Sequence, residues 1–147
     1  MEHTVLHRSL VPDIPVATLY ALLRLRVEVF VVEQACPYQE LDGHDLHEHT
    51  RHFWLAPEGG DDVVATLRLL EQPEEEFRIG RVCAARQARG KGAARRLMEA
   101  ALADVGDRPC VLDAQRHLTA LYEAFGFVRS GDDFTEDGIA HVPMRRG

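Results

Sequence analysis

The 147-residue sequence contains no apolar run approaching the roughly 20 residues that a bilayer crossing needs. Its first stretch, Met1 to Leu10, alternates polar and apolar side chains where a secretory leader would build an apolar core, so neither export nor membrane insertion is expected. Cysteine is scarce. Cys36, Cys83 and Cys110 form an odd set that cannot all pair within the chain, and they lack the close spacing of a zinc ribbon or a redox pair. Reduced thiols in a cytoplasm are the expectation. No repeat and no low-complexity segment occurs, and 46% hydrophobic against 28% charged residues excludes a disordered chain. The length suits one domain, 1–147, and is too short for two of ordinary size.

Positive charge is in deficit, with 17 Lys and Arg against 24 Asp and Glu for a net charge of −7, which argues against nucleic acid as a partner. The deficit is uneven. Between Phe77 and Met98 stand Arg78, Arg81, Arg86, Arg89, Lys91, Arg95 and Arg96 with no acidic residue, a local field suited to a small polyanion.

Alternation at Thr4 to Leu10 predicts a first strand, and Val16 to Phe30 predicts a helix after Pro12 and Pro15. The Pro-, Gly-, Asp- and His-bearing stretch Cys36 to His49 reads as a long functional connection. Strands are predicted at His52–Ala56, Val63–Leu70 and Phe77–Ala85, the first two joined by the turn at Glu58 to Asp62. Ala94, Leu97, Met98, Ala101, Leu102 and Val105 form a helical stripe that Gly106 stops. A buried strand Cys110–Ala114, a helix His117–Phe125 and two closing strands, 127–129 and 139–144 with Asp137-Gly138 as the hairpin signal between them, complete the pattern. The expected fold is α/β (α+β): a single domain with a mixed, mostly antiparallel sheet of six to seven strands flanked by about four helices.

Arg89-Gly90-Lys91-Gly92-Ala93-Ala94 lies between a predicted strand and the strongest predicted helix. Small residues permit close backbone approach, and free amides at a helix start present the positive end of its dipole, so a diphosphate suits the place. The spacing is neither that of a Walker loop nor of a dinucleotide fingerprint. It resembles the Arg/Gln-x-x-Gly-x-Gly/Ala signature of GNAT acyltransferases through Arg89, Gly92 and Ala94; a register on Gln87, Gly90 and Gly92 also fits but misplaces the preceding strand. Tyr122-Glu-Ala-Phe-Gly126-Phe127 is similar to the Tyr-x-x-x-Gly-Phe segment of that superfamily. Leu19 to Arg26, Val29 to Gln34, Cys36 to Gln39, Asp42-Gly43, Gly80 to Val82 and Asp137 to Ile139 resemble its ElaA branch.

The resemblance implies an acetyl-CoA-dependent N-acetyltransferase acting on a small-molecule or peptide amine, with no metal, and it allows a homodimer. It implies coenzyme binding by Val82, Cys83, Ala84, Arg89, Gly90, Lys91, Gly92, Ala93, Ala94, Gln115 and Tyr122, Gln115 standing where many members carry asparagine. Tyr122 is then the acid that protonates the leaving thiolate, and Val82 and Cys83 supply oxyanion amides. Glu33 is the first choice of base, with Asp42 and His141 also available and expected on the substrate side. The acids Glu40, Asp42, Asp45 and Glu48 hint at a cationic acceptor. A metal site at His44, His47, His49 and His52 is disfavoured by spacing, and covalent catalysis by Cys83 by its place in a buried strand. A non-catalytic acyl-CoA binding module is the rival from another functional class.

Overall fold

In a computed structural model of the chain, residues 3–72 and 75–147 are described; Met1 and Glu2, which open the alternating N-terminal stretch, lie outside them. The strands are β1 (Thr4–Leu10), β2 (Thr50–Pro57), β3 (Ala65–Glu71), β4 (Phe77–Ala84), β5 (Cys110–Gln115), β6 (Val128–Arg129), β7 (Phe134–Glu136) and β8 (Ile139–Arg146). The helices are α1 (Val16–Val27), α2 (Ala93–Val105) and α3 (Thr119–Glu123). One sheet runs in the order β1-β2-β3-β4-β5-β8-β6, with β7 paired to β8, and every pairing is antiparallel except β4 with β5.

The apolar run Phe53-Trp-Leu-Ala56 explains why β2 sits inside the sheet with both faces covered. Phe53 and Leu55 join the cluster packed by Leu97, Met98, Ala101 and Val105 of α2, while Trp54 and Ala56 join Leu22, Leu25 and Val29 on the α1 side. Helices therefore clothe the two faces of one sheet, as the strand and helix periods require. Leu97, Met98, Ala101 and Val105 of the α2 stripe are buried and Ala94 and Leu102 partly so, and Gly106 with φ 60° ends the helix where a side chain would strain the backbone.

Several local expectations shift. The α1 run does not continue as α-helix to Phe30; Glu28–Glu33 form a π-helical turn. The described residues form eight strands because Phe134–Glu136, too short for period reading, pairs with β8. Asp137 and Gly138, with φ 52° and 78°, turn β7 into β8 and do not join the strand at 128–129. The helix expected over His117–Phe125 is only α3, preceded by a tighter turn at Arg116–Leu118 and ended before Gly126.

The feature that positions the site is a split in the sheet. β4 and β5 pair only at Phe77 with Cys110 and Arg78 with Val111, although β4 runs on to Ala84 and β5 to Gln115. A bulge accompanies the parting: Arg81 and Val82 stand together opposite Leu67, and Arg81 has φ 55°. Beyond Arg78 the β4 edge facing β5 is open.

Candidate active site

A cavity of about 580 Å³ opens where β4 and β5 part. Of the residues singled out in the sequence, it brings together Val82, Gln115, Tyr122, Asp42 and His141. Tyr122 is 6% exposed and packs its ring edge-on to Phe127, and burial pushes its phenol up to about 12, so it is a neutral donor at ordinary pH. His141 stacks on Phe134 and places Nδ1 2.9 Å from the Ile139 carbonyl oxygen. A carbonyl only accepts, so Nδ1 carries the hydrogen and the neutral ring keeps its lone pair on Nε2. Gln115 faces Gln34, their amides 3.4 Å apart across the cavity wall.

Three of the four loop acids, Glu40, Asp42 and Asp45, offer no free charge, and Glu48 stands exposed beside His49. Arg26, 1% exposed, donates to both Glu40 carboxylate oxygens at 3.0 Å and to Asp45. Arg68 grips Asp42 at 2.9 and 2.7 Å and reaches Asp45 at 3.2 Å, and Arg81 closes the group against Glu40 and Asp42. Three guanidiniums thus meet three carboxylates, as burial of charge demands. For Asp42, burial works against ionisation, but the hydrogen bonds and charge of Arg68, the His44 amide and Arg81 outweigh it and hold the carboxyl well below the usual range. Asp42 is therefore no base, and the hint of a cationic acceptor loses Glu40, Asp42 and Asp45. The loop's four histidines do not gather into one set: His47 and His49 lie with ring centroids 5.5 Å apart, but His52 is buried with Nε2 on the Asp45 carbonyl oxygen, and no group of three or more His, Cys, Asp or Glu placed to hold a metal occurs among the described residues.

Sequence reasoning missed Arg26, Arg68 and Arg81 as the frame of this loop. A signal existed for the first: Leu22, Leu25, Arg26 and Val29 share one helical face, so an arginine stands within the buried stripe.

On the donor side, Gly90 and Gly92 take φ 74° and 79°, and a Cβ at either would meet nothing within 4 Å, so backbone conformation is what requires glycine there. α2 starts at Gly92 without a side-chain cap, which leaves its first amides open, and Lys91 makes no ion pair or hydrogen bond among the described residues. Ala93 and Ala94 form the first turn. Arg89 is placed differently from the expectation. It donates to both Glu33 oxygens at 2.7 Å and through Nε to the Ala84 carbonyl at 3.0 Å. Glu33 accordingly lies outside the cavity, in a separate groove with Arg86 and Arg89, and the Arg89 hydrogen bonds hold its carboxyl below the usual range. That makes it a poor proton acceptor.

Cys83 also departs from expectation. The Ala85 amide donates to Val64 at 2.8 Å, just before β3, so by strand alternation the main-chain groups of Cys83 face Thr66 on β3 and those of Ala84 face the open edge. Burial pushes the Cys83 thiol up to about 12, which removes it as a nucleophile.

The family model of the acetyltransferase (GNAT) domain matches residues 19–146. The chain belongs to the GNAT family. Among its relatives is a UPF0039 protein of Mycobacterium tuberculosis, 59% identical over 144 residues covering 96% of this chain and 92% of that one. Protein ElaA of Escherichia coli is 41% identical over 149 residues, covering 96% and 93%. The crystal structure of an acyl-CoA N-acyltransferase from Pseudomonas aeruginosa superposes with a TM-score of 0.92 at 42% identity over 99% of this chain and all of that one. Escherichia coli ElaA gives 0.89 at 37% identity over the same shares. The mixed sheet is therefore that of the GNAT acyltransferase fold, and the chain is of the ElaA type.

Proposed function

We propose that this GNAT chain moves an acetyl group from acetyl-CoA to a primary amine by direct attack, with donor and acceptor bound together. The observation that carries the reading is the unpaired β4 edge beyond Arg78. Val82 on that edge lines the cavity with Tyr122 and His141, and the same strand leads on in sequence to the Gly90–Gly92 turn and the uncapped start of α2. Free helix-start amides with Lys91 suit a diphosphate, and an unpaired strand edge suits an extended arm carrying amides, so the residues present fit a coenzyme A thioester. Gln115 shares that cavity wall with Tyr122 and is assigned to the coenzyme in this reading.

In the transfer, the neutral amine nitrogen bonds to the thioester carbonyl carbon, the oxyanion forms and collapses, and the carbon–sulfur bond breaks. Val82 stands at the bulge to serve the oxyanion, while the Cys83 amide, turned to β3, is withdrawn from that role. An ammonium cannot attack; His141 Nε2, whose partner nitrogen is tied to Ile139, accepts the proton, and Glu33 and Asp42 do not. Tyr122 meets the leaving sulfur. A phenol near 12 is a weaker acid than an alkyl thiol, so full proton transfer to the leaving thiolate is uphill and the hydrogen bond itself supplies the stabilisation.

The test is thiol release from acetyl-CoA against amines of different classes, with the product verified by mass. Tyr122→Phe is expected to lower kcat about 10- to 100-fold, the worth of a charge-assisted hydrogen bond, while acetyl-CoA affinity holds. A wild-type chain that binds acetyl-CoA and acetylates no amine would replace this reading with an acyl-CoA binding module.

A further inference from the structure

The π-helical turn Glu28–Glu33 is the least regular part of the helical layer, and π turns concentrate where function needs a side chain re-aimed. One inserted residue rotates every later position by about 100° relative to a continued α-helix. At the end of this turn two neighbouring residues face different parts of the site: Glu33 meets the phosphate-side turn and Gln34 the cavity wall at Gln115.

Glu33 and Arg89 form a two-pronged pair at 2.7 Å, and the third nitrogen of Arg89 holds the carbonyl of Ala84, the last residue of β4. The end of the α1 layer is thereby braced against the end of the strand through the residue that opens the glycine turn. The turn beyond Arg89 has little else to fix it. Main-chain bonds run from Ala88 to Ala85 and from Arg89 to Arg86, and the next is Arg96 to Gly92. Between them Gly90 and Gly92 have open space where side chains would be, Lys91 has no partner among the described residues, and α2 has no cap. The amides suited to a diphosphate are aimed by whatever holds Arg89.

We propose that Glu33 is a positioning residue for donor binding: it holds Arg89 as a strut that shapes the 89–92 turn, and neither Glu33 nor the Arg89 side chain contacts the reacting atoms or the diphosphate. The inference rests on the acetyl-CoA reading above. It differs from the two roles that sequence alone suggests. Were Glu33 the base, its loss would strike kcat. Were Arg89 a direct phosphate ligand, freeing it from Glu33 would tighten the coenzyme.

The experiment compares wild type, Glu33→Gln, Glu33→Asp, Arg89→Ala and the double variant Glu33→Gln/Arg89→Ala. Calorimetry with acetyl-CoA is paired with kcat, both KM values and the pH profile of kcat. Both partners are partly exposed, so the pair contributes at the upper end of surface ion pairs. Glu33→Gln is expected to raise the acetyl-CoA Kd and donor KM about two- to fivefold, with the change falling outside kcat and its pH profile. Arg89→Ala should match it, the double variant should add nothing to either, and Glu33→Asp should recover part of the loss. A tighter Kd in Glu33→Gln overturns the strut, as does an unchanged Kd with a fall in kcat and loss of its acid limb. Additive losses in the double variant also overturn it. A wild-type chain with no heat on acetyl-CoA addition overturns the donor reading, and the strut with it.

Discussion

Replacing Arg26 with alanine tests whether the acceptor-side loop is held by its buried charges. The guanidinium is 1% exposed and makes five hydrogen bonds: two to the Glu40 carboxylate at 3.0 Å, one to the Glu40 carbonyl at 3.4 Å and two to Asp45 at 2.5 and 3.1 Å. Truncation leaves Glu40, 3% exposed, and Asp45, 5% exposed, short of their main counter-charge, and breaking a buried pair from one side costs about 3–5 kcal/mol. At about 2–4 °C per kcal/mol for a chain of this size, Tm should fall by about 6–20 °C. The loss should depend on pH. In the wild type Asp45 is ionised against the cost of burial because Arg26 and Arg68 hold it below the usual carboxylate range, so its contribution is complete above that range and lost as pH falls through the folded value. In Arg26→Ala the stranded carboxylates gain by protonation, so acidification narrows the gap between the two proteins. Urea unfolding of both at pH 7 and at about pH 5 measures it. A difference below about 1 kcal/mol at neutral pH, or one that widens on acidification, would refute the view that these charges are buried and mutually satisfied.

Two further outcomes are expected from the same geometry. Gly92→Ala places a side chain at φ 79° with no steric contact to relieve or aggravate it, so it should cost about 1 kcal/mol of stability by urea unfolding and weaken acetyl-CoA binding in calorimetry. Wild-type stability should begin to fall as pH drops through the ordinary histidine range, because burial holds His52 neutral in the folded chain, and should fall further below about pH 5, because the depressed carboxyls of Asp42 and Asp45 then take up protons on unfolding; a urea midpoint that rises on acidification would contradict this.

Features with a local cause were legible in the residues. The α2 stripe, the glycine turn before it, the alternation of β1 and the Asp137-Gly138 turn each arise from neighbours within a few positions. Tyr122 was legible only through its likeness to a family segment, since an isolated tyrosine carries no pattern of its own. The roles of Glu33, Asp42 and Arg89 were not legible. Glu33 and Arg89 meet across 56 positions and Arg68 and Asp42 across 26, and no periodicity reports which counter-charge a side chain will meet.

The sequence by itself determined most of the elements (though not β7 or the π-helical turn at Glu28–Glu33), the place of the diphosphate-suited turn and the GNAT resemblance, because helix and strand periods, glycine's reach into positive φ and short motifs are encoded by adjacent residues. Tertiary structure alone decided which charges are spent and which remain for chemistry. It set Arg26, Arg68 and Arg81 against the loop acids, turned Cys83 toward β3 and Glu33 toward Arg89, and left Tyr122 and His141 facing one cavity. The physical reason is that burial and pairing are properties of groups brought together from distant positions, and the parting of β4 from β5 chooses which of them meet.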